Sequence, residues 1–142
     1  MAVRTSNAEW RGDLRQGKGR MSLGSGAFEG PFSFGTRFEE EKGTNPEELI
    51  GAAHAGCFSM ALSAALSKEG YVPDEVKTTA RVHLEKSGDG FAITRIELST
   101  EARIPNIDDA TFQKFAEGAK KGCPVSKALA GTQIDLDARL AS

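Results

Sequence analysis

The sequence predicts an α+β fold with a mostly antiparallel sheet and one long buried central helix. Three observations lead to this prediction. Segments of alternating polarity come in pairs joined by turn residues, which is typical of hairpins. One long run of weak polarity, Leu49–Leu66, has the length of a helix. The strands cluster in pairs and do not alternate regularly with helices, as they would in a doubly wound fold.

The first third of the chain is rich in glycine and predicts short strands. Half of the 16 glycines precede Thr44, and glycine at this density does not support a helix. Turn residues divide this part into three expected strands, Trp10–Leu14, Lys18–Leu23 and Ser33–Phe38.

The long helix has clear start and stop signals. Asn45 is a good N-cap, Pro46 suits the first helical position, and Glu47 lies at the positive end of the helix dipole. The helix should run to about Lys68, with Gly70 as a left-handed cap. The rest of the chain predicts strands Val76–Lys86 and Phe91–Arg103, a helix capped by Asp108 or Asp109 and stopped by Gly122, a short helix from Pro124 to about Leu129, and a last strand near Ile134–Leu140.

Length, charge and composition exclude several functional classes. The 142 residues fit one domain, expected to span residues 1–142, and 39% hydrophobic residues can build its core. A net charge of -2 does not favour nucleic acid or an anionic membrane as partner. The long run contains few large aliphatic residues, so a membrane span is not expected. The N-terminal segment has no signal-like apolar stretch, so we expect a cytoplasmic protein.

The two cysteines, Cys57 and Cys123, are the candidates for chemistry. They could be inert buried thiols or a redox pair, and counting alone favours inert thiols. Cys123 precedes Pro124 and should cap a helix, which would stabilise its thiolate. Cys57 lies in the middle of a helix, so any activation must come from elsewhere. Either His54, three residues before it, or a cation such as Arg37 could supply it.

Glu47 is the carboxylate that could hold Arg37 near Cys57. Glu47 lies about 80° around the helix from Cys57 but about 15 Å along its axis, too far for a contact within one straight helix. Either the helix breaks near Gly51, or a second copy of the chain supplies Glu47. The helix carries four small residues before Cys57: Gly51, Ala52, Ala55 and Gly56. These residues could allow a second helix to approach closely, or they could pack on the chain's own sheet.

The segments "RFEEEKGTNPEELIGAAHAGCFSMALS" and "GCPVSKAL" resemble the osmotically inducible protein C family, the OsmC/Ohr hydroperoxide reductases. The resemblance extends over nearly the whole chain, and the OsmC branch fits best. It implies an intertwined homodimer with two active sites at the subunit interface. It also implies a thiol peroxidase that needs no metal, haem, flavin or other cofactor.

The resemblance assigns roles to four residues. Cys57 matches the peroxidatic cysteine, and Cys123 matches the resolving cysteine. This reverses the order expected from helix capping, which favours Cys123 as the more reactive thiolate. Arg37 and Glu47 match the activating pair. His54 matches no catalytic position of the family and is therefore interpreted as structural.

The resemblance further implies how the peroxidase would work. Cys57 would become a sulfenic acid and then form a disulfide with Cys123, which a dithiol or lipoyl-type reductant would reopen. Apolar neighbours should favour organic hydroperoxides over hydrogen peroxide; they are Phe58, Met60, Phe32, Phe34 and Phe38. The alternative from a different class is a non-catalytic dimeric stress or ligand-binding module with inert buried cysteines.

Overall fold

A computed structural model describes residues 2–141 of the chain. These residues form two compact units, the first ending at Leu49 and the second beginning at Ile50. The elements combine helices with antiparallel strand pairs, so the predicted α+β class is confirmed.

The first unit contains a three-stranded antiparallel sheet of β1 (Ser6–Arg11), β2 (Lys18–Leu23) and β3 (Glu29–Phe32). Gly19 of β2 pairs with Trp10 on one side and Phe32 on the other. The Trp10 and Phe32 rings meet over this glycine, with centroids 5.4 Å apart. A Cβ atom at Gly19 would lie 2.5 Å from the Phe32 ring. Glycine is therefore required for the two rings to meet.

Two of the three strands predicted in this unit need correction. The predicted strand Trp10–Leu14 lies earlier, because Gly12 has a φ of +101° and ends β1 after Arg11. The predicted strand Ser33–Phe38 is wrong: Phe34–Phe38 is a short helix, α1. Ser33 and Thr36 form a capping box, in which each side chain accepts from the other's backbone N–H, at 3.3 and 2.8 Å. This local pattern outweighs the strand propensity of the phenylalanines.

The long helix, α2, runs unbroken over Pro46–Lys68. The Asn45 side chain accepts the Glu48 N–H at 2.7 Å, and Gly70 has a φ of +89°, so both predicted ends are confirmed. The break near Gly51, one of two alternatives left by the sequence, does not occur. By length and composition α2 could cross a membrane, but one of its faces, which includes Phe58, is fully buried in the core of the second unit.

The second unit contains most of α2 and a second three-stranded sheet. Strands β4 (Glu75–Ser87) and β5 (Gly90–Arg103) are antiparallel, whereas β6 (Gln133–Ala141) is parallel to β5. The parallel pairing follows from the crossover between them, which carries α3 (Asp109–Gly122) and α4 (Pro124–Ala128). The core of this unit consists of Phe58, Leu62, Leu66, Ile96, Leu98, Ala102, Ile104, Phe112, Ala116 and Ala119.

The small residues of α2 divide between two faces. Gly51 is buried, and a Cβ atom there would lie 3.3 Å from Val82 Cγ2 of β4, so this glycine packs on the chain's own sheet. Gly56 has open space where a side chain would stand. It belongs to an exposed stripe with a spacing of four residues, made of Ala52, Gly56, Met60 and Ala64.

Replacing a core phenylalanine should cost far more stability than replacing an exposed one. Phe112 is fully buried on α3, whereas Phe91 on β5 is 57% exposed. We expect Phe112→Ala to lower the free energy of unfolding by about 3–5 kcal/mol, because it leaves a cavity in the core. The matched control Phe91→Ala should lose about 1 kcal/mol or less. Urea denaturation measures both, and equal losses would contradict this core.

Candidate active site

A two-point ion pair joins Arg37 and Glu47 within the first unit. Arg37 Nε donates to Glu47 Oε1 at 3.0 Å, and Arg37 Nη2 donates to Glu47 Oε2 at 2.8 Å. The Glu47 side chain is 9% exposed, whereas the Arg37 side chain is 37% exposed. The carboxylate thus fixes the plane of the guanidinium while part of that group stays accessible.

Local structure brings these two side chains together. Arg37 lies in the last turn of α1 and Glu47 in the first turn of α2. The connecting loop is fixed by Asn45, whose Nδ2 donates to the carbonyl of Thr36 at 3.0 Å. Asn45 therefore caps α2 and also holds the end of α1.

An apolar cavity lies beside Arg37 in the same unit. Its volume is about 300 Å³, and its walls include the Trp10 and Phe32 rings that meet over Gly19. Arg37 is the charged residue among its lining residues, which are Trp10, Leu14, Phe32, Ser33, Phe34, Arg37 and Phe38. Of the apolar residues expected near the site, Phe58 lies instead in the core and Met60 is 77% exposed.

The two thiols meet in the second unit. Cys57 is partly buried on α2, Cys123 is fully buried at the junction of α3 and α4, and both are free thiols. The pKa of Cys57 is raised, first by burial. A hydrogen bond from the Val125 backbone lowers it, whereas a hydrogen bond and charge interaction with Cys123 raise it. The two thiols, distant in sequence, thus lie close enough to interact.

Cys123 caps α4, as the sequence predicted. Its sulfur accepts the backbone N–H of Ser126 at 3.3 Å, and Pro124 occupies the first turn. The Ser126 hydroxyl lies 3.1 Å from the same sulfur. Ser126 was not among the residues predicted from the sequence, although a serine three residues after a capping residue is placed to reach the cap.

His54 is fully buried and its ring contacts Ser126. His54 Nε2 lies 2.7 Å from Ser126 Oγ. Burial lowers the pKa of His54, so the imidazole is neutral near pH 7. Sequence spacing had suggested a partnership with Cys57, but this contact connects His54 to the neighbourhood of Cys123.

The arrangement of acidic, histidine and cysteine side chains does not suggest a metal centre. Within residues 2–141, no group of three or more such side chains is placed to hold a metal ion.

Comparison with known proteins assigns the family. The protein-family model described as "OsmC-like protein" matches residues 39–138 of this chain. The chain is 54% identical over 136 residues to "Peroxiredoxin OsmC" of Escherichia coli (strain K12), covering 95% of this chain and 94% of that protein. It is 35% identical over 100 residues to "Organic hydroperoxide resistance protein" of Xanthomonas axonopodis pv. citri, covering 70% of this chain and 68% of that protein.

Solved structures agree with this assignment. The crystal structure of the organic hydroperoxide resistance protein OhrB of Bacillus subtilis superposes with a TM-score of 0.70 and 25% identity, covering 96% of this chain and 98% of that one. An OsmC-like protein from Vibrio cholerae, at 15% identity, shares the fold with a TM-score of 0.77. The family model and the similarity to these relatives show that the chain belongs to the OsmC family.

Proposed function

We propose that this protein is a thiol peroxidase that reduces organic hydroperoxides through Cys57 and Cys123. The contact between these two thiols carries the proposal, because a sulfenic acid formed on one sulfur would lie beside a second sulfur able to reduce it. Relatives named as a peroxiredoxin and as organic hydroperoxide resistance proteins support it.

In the first step, the Cys57 thiolate attacks the distal oxygen of the hydroperoxide. A bond forms between sulfur and oxygen, the O–O bond breaks, and the leaving alkoxide takes up a proton to become an alcohol. Cys57 is thereby oxidised to a sulfenic acid. Because burial raises the pKa of Cys57, the thiolate needs a positive charge close to it. Arg37, held in a fixed orientation by Glu47, supplies that charge.

In the second step, Cys123 attacks the sulfur of the sulfenic acid. The S–S bond forms as the S–O bond breaks, and water leaves. An external dithiol, such as a lipoyl-type reductant, then donates two electrons and two protons and becomes a disulfide itself. Both cysteines return to thiols, so the cycle requires no cofactor.

The cavity beside Arg37 supports an organic hydroperoxide as substrate. Trp10, Phe32, Phe34 and Phe38 would cover an alkyl or aryl group, while the guanidinium would meet the polar end. Hydrogen peroxide would gain nothing from the apolar walls, so we expect it to be a weaker substrate.

The complete site belongs to a homodimer in this proposal. Cys57 follows Glu47 by ten residues on one unbroken helix, which corresponds to about 15 Å along its axis. The exposed stripe containing Gly56 and Met60 is a surface on which the α2 helix of a second copy could pack closely. Arg37 and Glu47 of one copy would then activate Cys57 of the other. The proposed location of this homodimer is the cytoplasm, where its thiols stay reduced between cycles.

Cys123→Ser should stop the cycle after one turnover and leave a sulfenic acid on Cys57. Serine is also a good N-cap, so α4 should remain intact. After one equivalent of cumene hydroperoxide, mass spectrometry should detect one added oxygen, about 16 Da, on Cys57. The control Cys57→Ser should consume no hydroperoxide. An unmodified Cys57 in Cys123→Ser would contradict the order of the two steps and favour the inert-thiol alternative.

Mixing one slowed and one inactive variant tests whether the site is shared between two copies. Arg37→Ala alone should slow hydroperoxide consumption at least about tenfold, because the Cys57 thiolate loses its cation. Cys57→Ser alone should be inactive. Unfolding and refolding them together at equal concentration makes half of the dimers mixed, each with one complete site, so about one quarter of wild-type activity should return. Activity no greater than the average of the two separate variants would contradict a site built from two copies.

A further inference from the structure

A row of three hydrogen-bonded side chains ends on the sulfur of the resolving cysteine. His54 Nε2 lies 2.7 Å from Ser126 Oγ, and Ser126 Oγ lies 3.1 Å from Cys123 Sγ. All three residues, called the polar row below, are buried. Burying polar groups costs free energy unless their hydrogen bonds are made, so the row needs a physical reason. The proposed cycle uses only its last member.

The positions of the protons in the polar row follow from one unpartnered atom. Among the described residues, His54 Nδ1 is a buried nitrogen with no hydrogen-bond partner. A proton on Nδ1 would leave a buried N–H donor unsatisfied, which proteins rarely tolerate. We therefore assign the proton to Nε2, which donates to Ser126 Oγ. The Ser126 hydroxyl then has its own proton free to point at Cys123 Sγ.

In this arrangement the sulfur of Cys123 receives two hydrogen bonds from one residue. The backbone N–H of Ser126 donates at 3.3 Å and its hydroxyl donates at 3.1 Å. Hydrogen bonds to sulfur favour the thiolate over the thiol. The neutral state of the buried imidazole keeps the direction of the row fixed, because a neutral ring with its proton on Nε2 can only donate to Ser126.

We propose that His54 is a positioning residue for the second step, and that it holds the Ser126 hydroxyl as a donor to the Cys123 thiolate. This inference rests on the proposed function and extends it to the resolving thiol. The Cys123 thiolate forms the S–S bond, the Cys57 S–O bond breaks, and hydroxide leaves. The proton that Cys123 released to solvent is matched by the proton that hydroxide takes up, so the products are a disulfide and water.

Other ionisable groups near the polar row do not change when His54 is replaced. Cys57 faces it from α2. Lys120 and Lys121 lie in the last turn of α3 and both pair with Glu117, at 3.4 and 3.9 Å, and Lys127 lies in α4. Because these charges are common to wild type and variants, a shift in pH dependence after substitution of His54 reports on the row itself.

Two substitutions of similar size separate donation from packing. Gln at position 54 offers an amide N–H at about the reach of imidazole Nε2, whereas Leu fills space without a donor. Each variant is mixed rapidly with one equivalent of cumene hydroperoxide at several pH values between pH 6 and pH 10. Chemical trapping follows the formation of the sulfenic acid, and mass spectrometry of quenched samples follows the formation of the disulfide. Sulfenic acid formation should be similar in wild type, His54→Gln and His54→Leu.

The disulfide step should distinguish the variants. Near pH 7, His54→Leu should be slower by roughly 3- to 10-fold, because the Ser126 hydroxyl is no longer held as a donor to the Cys123 sulfur and the thiolate loses part of its stabilisation. Each remaining thiolate becomes more nucleophilic, which limits the loss. At pH 10 this deficit should disappear or reverse. His54→Gln should keep the wild-type rate and pH profile within about twofold. Ser126→Ala should behave as His54→Leu, and combining the two should add little.

Several results would overturn the inference. Equal slowing of the disulfide step by Gln and Leu, or a deficit for Leu that is the same at every pH, would assign His54 to packing alone. If His54→Leu does not fold, a wild-type pH profile of the disulfide step in Ser126→Ala would also assign His54 to packing alone. Failure of the wild type to form any sulfenic acid would instead overturn the proposed function, so the two failures are distinguishable.

Discussion

The contact between the Cys57 and Cys123 thiols is the interaction on which the proposed chemistry depends. Cys57 lies on a helix whose buried face is fixed by Phe58, Leu62 and Leu66. Cys123 lies where α3 ends and α4 begins, and its backbone N–H donates to Ala119 within the same packed unit. Two rigid elements thus hold the sulfurs together, which removes the need to order a loop before they react.

In the proposed mechanism, the Arg37–Glu47 pair favours ionisation of the Cys57 thiol. A thiol whose pKa is raised by burial is a poor nucleophile, yet burial protects its sulfenic acid from side reactions. A fixed guanidinium can favour the thiolate without exposing the sulfur to water. Glu47 holds that guanidinium with two hydrogen bonds. Ion pairing and apolar cavity walls occur together around Arg37, so charge and shape would select the same substrate.

Sequence reasoning identified the elements that have local signals. The ends of α2 were predicted because Asn45, Pro46 and Gly70 act within one turn of the chain. Strand β3 and helix α1 were missed because the Ser33–Thr36 capping box lies in a phenylalanine-rich segment that resembles a strand. The parallel pairing of β6 was also missed, because the crossover that causes it is a property of the assembled sheet.

The candidate site residues, like the helices and strands, were predicted only where the sequence carries a signal for them. Family resemblance selected Cys57, Cys123, Arg37 and Glu47, and the Arg37–Glu47 bond and the contact of the thiols were then found in the structure. The resemblance gave no reason to connect His54 with Ser126, because these residues are distant in sequence and meet only after α2 packs on the α3–α4 junction. Helix spacing instead paired His54 with Cys57.

The most direct test is the mass of the intact protein under non-reducing conditions after one equivalent of cumene hydroperoxide. A disulfide between Cys57 and Cys123 of the same chain should lower the mass by about 2 Da, the two hydrogens lost, and a dithiol should restore it. Peptide mapping should then recover the two cysteines linked. An unchanged mass with both thiols still titratable, or a bond found only between separate chains, would contradict the proposed chemistry.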